Sequence, residues 1–130
     1  MDTTTYLTLE QVLVIHEDQI IRYGGSTGLR DLALLESAVF RPQTTFAGDD
    51  LYDTHYKKAA ALLHGLVMNH AFVDGNKRTG TASMLVYLEL NAVPFFIKNE
   101  ELVKAILQVE NEKWNVDKIA AWLEEHSSQI

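Results

Sequence analysis

Apolar positions along this chain recur mostly three and four residues apart, the spacing of one helical face. Leu9, Val12, Leu13, His16, Ile20 and Tyr23 form the first such stripe. Thr8, with Gln11 three residues on, makes a capping-box start, and Gly24-Gly25, with Gly28 close behind, makes the stop. A second helix is predicted from Arg30 to Phe40, with Leu34, Leu35, Ala38 and Val39 inward and Pro42 just past its end. Ala59, Leu62, Leu63, Leu66 and Val67 mark a third. The fourth, from about Asn76 to Leu90, is apolar nearly all round its later turns: Met84, Leu85, Val86, Tyr87, Leu88 and Leu90. A helix without a polar face is expected at the centre of a bundle. Val93 to Ile97 reads as a short extended link. Asn99 is expected to cap a helix carrying Leu102, Val103, Ile106 and Leu107, and Asn115 a last one with Ile119, Trp122 and Leu123. Thr44 to Asp53 sets β-formers either side of a Gly-Asp-Asp turn, the pattern of a short hairpin or an ordered loop. The expectation is an all-α domain of about six helices around a central hydrophobic helix, with one small β-hairpin.

Composition narrows the class. A chain of 130 residues without repeats or low-complexity tracts reads as a single domain, 1–130. With 47% hydrophobic residues it can bury a core unaided, and the lack of cysteine excludes a disulfide scaffold, a thiolate zinc site and a cysteine nucleophile. That lack also suits a reducing compartment. The net charge of −7 argues against direct nucleic-acid binding, which needs a basic face. No apolar run approaches the ~20 residues of a membrane span. The opening MDTTTYLTLEQ is not a signal peptide, so a cytoplasmic protein with no membrane attachment is expected. Any phosphate chemistry must use a few local cations.

One segment breaks the hydrophobic pattern: His70-Ala-Phe-Val-Asp-Gly-Asn-Lys-Arg78, between the two most apolar helices. It crowds polar groups at a helix amino end, where free N–H groups and the helix dipole favour anions. Gly75 allows close backbone approach, and Asn76 can cap the helix or add an amide donor. Lys77 and Arg78 bring charge, the arginine in a fork that matches phosphate oxygens. Asp74 suits an anion site once a cation joins it, since one carboxylate with phosphate oxygens and water is how Mg²⁺ is usually held. Histidine exchanges protons near neutrality, which makes His70 a candidate base. Phe72 and Val73 would peg the loop into the core. Small residues continue the run through Thr79-Gly80-Thr81-Ala82-Ser83. Base, metal carboxylate and anion cradle together fit nucleotide-phosphate transfer. Taken singly, each group has a plainer reading as a turn, a cap or a solvated face.

HAFVDGNKRTG resembles the signature of the Fic/Doc family, His-x-Phe-x-(Asp/Glu)-(Gly/Ala)-Asn-(Gly/Lys)-Arg. Lysine at the eighth position is the mark of its Doc (death-on-curing) branch, the toxins of Phd–Doc toxin–antitoxin systems. The similarity extends through IIRYGGSTGLRD, LLESAVFRPQTTFAGDDLY, KKAAALLHGLVMNH and LVYLELNAV. The resemblance implies that His70 is the catalytic base, Phe72 a buried anchor and Asp74 the Mg²⁺ ligand. It also implies that Gly75, Asn76, Lys77, Arg78 and Thr79 form the nucleotide-binding segment, with Arg78 shared by the chemistry. Most Fic proteins transfer AMP and have glycine where Lys77 stands. In the Doc branch the nucleotide is reversed, so ATP with Mg²⁺ phosphorylates a threonine of elongation factor Tu and arrests translation.

The implied protein is therefore a toxin and serine/threonine kinase with a Phd-like antitoxin as partner. An AMP transferase and a catalytically idle binding module are the alternatives. Typical AMP-transferring members carry a second arginine where this chain has Thr81, which weakens the first alternative. The inhibitory pattern (Ser/Thr)-x-x-x-Glu-(Gly/Asn) is absent. Glu110 is followed by Asn111, but Ile106 stands four residues before it, so restraint is expected from another chain. Thr44–Asp53 falls where the family has a target-docking flap, and an ordinary solvated loop is the other reading. His16 is expected in a structural role, and His55 and His126 at the surface or in caps. His64 and His70, six residues apart, lie about 120° off a common helical face, which argues against a two-histidine metal site. Trp114 and Trp122 read as core or partner-facing. Lys77, Arg78, the helix amino end and a metal on Asp74 would make one positive pocket in an acidic chain.

Overall fold

Side-chain caps open four of the six helices in the computed structural model, which describes residues 3–127. Helix α1 (Leu9–Tyr23) has the predicted capping box: Gln11 N–H donates to the Thr8 hydroxyl at 3.1 Å and Thr8 N–H to the Gln11 side chain at 2.8 Å. Asp31 opens α2 (Leu32–Phe40), Thr54 opens α3 (His55–Met68) and Asn115 opens α6 (Val116–Glu125). Helices α4 (Asn76–Leu90) and α5 (Asn99–Asn111) have no side-chain cap. Two expected starts therefore move. The second helix begins at Leu32, because Asp31 caps it and Arg30 N–H pairs with Ala71 O instead. Asn99 is the first residue of α5 and caps nothing; Lys98 holds the cap position.

The hub of the bundle is α3, which packs on α2, α4, α5 and α6, whereas α4 flanks it and α1 packs on α4 and α2. This corrects the expectation that the fourth helix is central. Nine of the fourteen residues of α3 are buried, against partial exposure of Leu85 and Val86 and an open Leu90 on α4. The alanine run Ala59-Ala60-Ala61 explains the difference: small side chains let neighbours approach α3 on several faces. Gly65 carries this furthest, since a Cβ there would stand 2.9 Å from the Ala38 Cβ on α2. Trp114 is core, and Trp122 packs against the core with His126 stacked on its ring and Phe95 tilted against it.

Thr44–Asp53 does contain a hairpin, β1 (Thr45–Phe46) antiparallel to β2 (Asp49–Asp50), with Thr45 opposite Asp50. The turn lies one step earlier than expected, at Ala47-Gly48, both with positive φ (53° and 88°), the geometry of a two-residue hairpin turn. Two cations tie the hairpin down. Lys58 is buried, and its Nζ donates to Asp50 Oδ2 at 3.0 Å and to the carbonyl of Tyr52. Arg41, in a single 3-10 turn after α2, donates to Tyr52 Oη at 3.1 Å and to His64 Nδ1 at 2.8 Å. Burial, then the adjacent Arg41 charge, pushes His64 below the ordinary histidine range. His55 is half-buried and paired with the Tyr87 hydroxyl at 3.0 Å, and His126 caps the last turn on Trp122 O.

Candidate active site

The loop joining α3 to α4 is built against a second strand of chain. Residues 24–31 run antiparallel to it: Val73 N–H donates to Gly28 O (3.1 Å), and Arg30 N–H (2.7 Å) and Asp31 N–H (3.0 Å) donate to Ala71 O. This doubled backbone satisfies main-chain groups that a lone loop would leave open. Phe72 is buried as expected and stacks on His16 at 3.7 Å between centroids, with the rings nearly parallel. His16 Nε2–H then donates to the Asp74 carbonyl at 2.8 Å. The structural role expected for His16 is thus specific: it locks two residues of the loop from α1.

His70 sits where α3 ends, in a left-handed conformation (φ 51°) that a non-glycine residue adopts at a cost of about 1–3 kcal/mol. Arg30 offsets this, since its guanidinium donates from both Nε (2.8 Å) and Nη2 to the His70 carbonyl. The backbone is held while the imidazole stays half-exposed at the cleft. Asp74 is fixed as firmly. Ser26 N–H donates to Oδ2 (3.1 Å) and Gly75 N–H to Oδ1 (2.8 Å). These two bonds, Ser26 first, hold its carboxyl below the usual carboxylate range, with Arg78 adding to the effect. Each oxygen keeps a lone pair directed elsewhere.

Gly75, not Asn76, is the N-cap of α4, with φ 79° and no side-chain cap. Asn76 turns backward: its Oδ1 accepts from Phe72 N–H and its Nδ2 donates to Phe72 O, both at 3.0 Å. Its amide therefore shapes the loop and keeps one N–H for a ligand. Arg78 donates to Gly24 O at 2.9 Å and Gln19 O at 3.4 Å, groups at the end of α1, and retains three of its five donors. Lys77 Nζ is paired at 2.9 Å with Glu110 Oε1 on α5, and Glu110 Oε2 is 3.7 Å from His70 Nε2. The Lys77 ammonium accordingly holds Glu110 below the usual carboxylate range.

His70, Asp74, Gly75, Asn76, Lys77 and Arg78 line one cleft of about 190 Å³, together with Val73 and Glu110. Thr79, expected in the nucleotide-binding segment, does not line it. Its side chain is fully buried and its N–H bonds to Gly75 O, so the helical turn carries it into the interior. Two basic and two acidic side chains face the cleft, so the positive pocket expected from the sequence is balanced in charge. Sequence reasoning missed Glu110, Ser26 and Arg30. The signal for Glu110 was its place four residues after Ile106 and eight after Leu102, on the inward face of α5.

Asp74 fits a metal in one mode. Among the described residues no cluster of three or more histidine or acidic side chains could hold an ion alone. A hard cation at Asp74 would take its other oxygens from phosphates and water, as Mg²⁺ commonly does. One turn along α4 from Lys77, Thr81 directs its hydroxyl to Lys77 O at 2.8 Å and brings no charge. Among the described residues no helix is long and apolar enough to cross a membrane.

Comparison with known proteins gives the family. The family model described as Fic/DOC family matches residues 6–88, a span from before α1 to near the end of α4. A protein named Toxin Doc from Mycolicibacterium smegmatis is 48% identical over 90 residues, covering 69% of this chain and 67% of that protein. A protein named Protein kinase doc from Escherichia phage P1 is 32% identical over 91 residues, covering 70% of this chain and 71% of its own. The chain belongs to the Fic/DOC family.

Proposed function

We propose that this chain is the toxin of a type II toxin–antitoxin pair and acts as a Mg²⁺- and ATP-dependent protein kinase. Its substrate would be a threonine on elongation factor Tu, its effect the arrest of translation, its site of action the cytoplasm and its restraint a Phd-like antitoxin. Similarity to a protein named a kinase and to one named a toxin supports the reading. The observation that carries it is the cleft itself, with a histidine, a carboxylate, a lysine and an arginine around an uncapped helix amino end.

In this mechanism His70 takes the proton of the threonine hydroxyl as its oxygen attacks the γ-phosphorus, and ADP leaves carrying the bridging oxygen. Lys77, Arg78, the Asn76 amide and the open N–H groups at the start of α4 hold the phosphate oxygens. Asp74 would hold Mg²⁺, which neutralises phosphate charge. Phe72, buried against His16, keeps the loop from following the ligand; the Val73 side chain, expected to peg the loop as well, is 57% exposed and anchors nothing. Lys77 and the uncharged Thr81 favour γ-phosphoryl transfer over AMP transfer, the second reading.

Growth and protein synthesis after induction test the proposal. The native chain is expected to stop both, with elongation factor Tu recovered carrying phosphothreonine. The double variant His70→Ala, Arg78→Ala should do neither. Undiminished arrest by that variant would instead assign the effect to binding through the helices and hairpin.

A further inference from the structure

We propose that Glu110 sets the affinity of the cleft for its nucleotide: its carboxylate is the resting counter-ion of Lys77 and occupies a seat that a phosphate oxygen must take. The inference rests on the nucleotide reading above. Glu110 is the cleft-lining residue that the family signature does not contain, and it comes from a different helix. One oxygen lies 2.9 Å from Lys77 Nζ and the other 3.7 Å from His70 Nε2, so a single carboxylate faces the phosphate-holding cation and the base together.

The contact is set by the fold. Val109 and Ile106 are buried in the turn that carries Glu110, so the helix cannot withdraw, and displacement must be a swing of the side chain. Surface ion pairs are commonly incidental and contribute little. This one differs because both ends line the same cleft and it bridges α4 to α5 instead of neighbouring turns of one helix. Its half-open setting also makes it exchangeable, since water can take over the carboxylate once it moves. An incoming triphosphate would replace Glu110 on Lys77 and repel it from the cleft. Every phosphate bound there competes against an anion tethered at high local concentration.

Removing the charge while keeping the shape should therefore tighten binding. Titration of Mg-ATP into the full chain by calorimetry is expected to give a Kd about two- to fivefold lower for Glu110→Gln than for the parent, the size of a modest exposed ion pair. Glu110→Asp, shorter and still charged, should fall between. In a Lys77→Met background the same Glu110→Gln change should lose most of its effect, because the competition acts through Lys77. Thermal melts of every variant establish that the chains compared are folded, and Glu110→Ala substitutes should the glutamine variant fail. Equal or weaker binding by the uncharged variants, with the parent binding ATP, would overturn the inference and leave the nucleotide reading standing. No ATP binding by the parent or any variant would overturn both.

Discussion

Lys58 and Lys77 each meet a carboxylate at hydrogen-bond distance, 3.0 Å to Asp50 and 2.9 Å to Glu110, in opposite surroundings. The Lys58 side chain is 5% exposed, and it also donates to the Tyr52 carbonyl and lies over the Tyr6 ring. The Lys77 side chain is 43% exposed and opens on a cleft. The same chemistry thus fixes position at one end of the molecule and permits exchange at the other. The ties around the hairpin are several and mutual, with Arg41 bridging Tyr52 and His64. Around the cleft the loop backbone is tied through Arg30, His16 and Asn76, and Ser26 N–H holds the Asp74 carboxylate, while His70, Asp74, Lys77 and Arg78 keep capacity for a ligand. A stiff main chain carrying exchangeable side chains is what preorganised catalysis requires.

The sharpest way to break this contrast is to remove the proposed base. His70→Ala is expected to lower transfer about 10²–10⁴-fold, the usual contribution of a general base. Its melting temperature and Mg-ATP affinity should stay close to the parent's, as steady-state kinetics and calorimetry would show. A collapse of stability would mean that His70 is structural.

Next comes Gly25→Ala. A Cβ there would stand 2.7 Å from Asp74 Oδ2, and the backbone has φ 118°. The variant should displace the carboxylate and cut the rate about 10–100-fold, since small misplacements near the chemistry carry large penalties. A rise in the Mg²⁺ concentration needed for half-maximal activity is the accompanying sign. Lys58→Met moves the effect to the other region. It leaves the Tyr52 carbonyl without its donor and should cost about 1–3 kcal/mol of stability in urea unfolding, with the Mg-ATP affinity unchanged.

The smallest effect is that of His64. Its folded value is depressed, so the unfolded chain binds the extra proton, and stability falls as pH drops below the ordinary value of 6.5. His64→Gln should flatten the stability–pH curve in that window. Lower down, Asp74 and Glu110 have depressed values too, so their contributions are present above the usual carboxylate range and fade as acid protonates them.

Local patterns were legible where the chain decides locally. The Thr8–Gln11 box, the run of α4 from Asn76 to Leu90 and the Asn115 cap all stand as read, because each depends on residues within a turn of one another. The helix start expected at Arg30 and the cap expected at Asn99 both shift by the chain's needs elsewhere: Arg30 N–H goes to the loop at Ala71, which leaves Asp31 to cap α2, and Lys98 holds the cap position of α5. Helix centrality was misread because apolar count says less than side-chain size, and the small residues of α3 admit more neighbours. The cleft was legible as one contiguous segment, and the partners that tune it were not. Ser26, Arg30 and Glu110 reach the loop across 48, 40 and 33 residues of chain, distances over which no periodicity points. Thr79 followed the segment in sequence and left it in space, one turn being enough to carry it inward.

The central claim is that this cleft moves the terminal phosphoryl group of ATP. Purified elongation factor Tu incubated with the chain, Mg²⁺ and ATP labelled at either the α- or the γ-phosphate tests it directly. The account predicts label on threonine from the γ position alone, and label retained from the α position would contradict it.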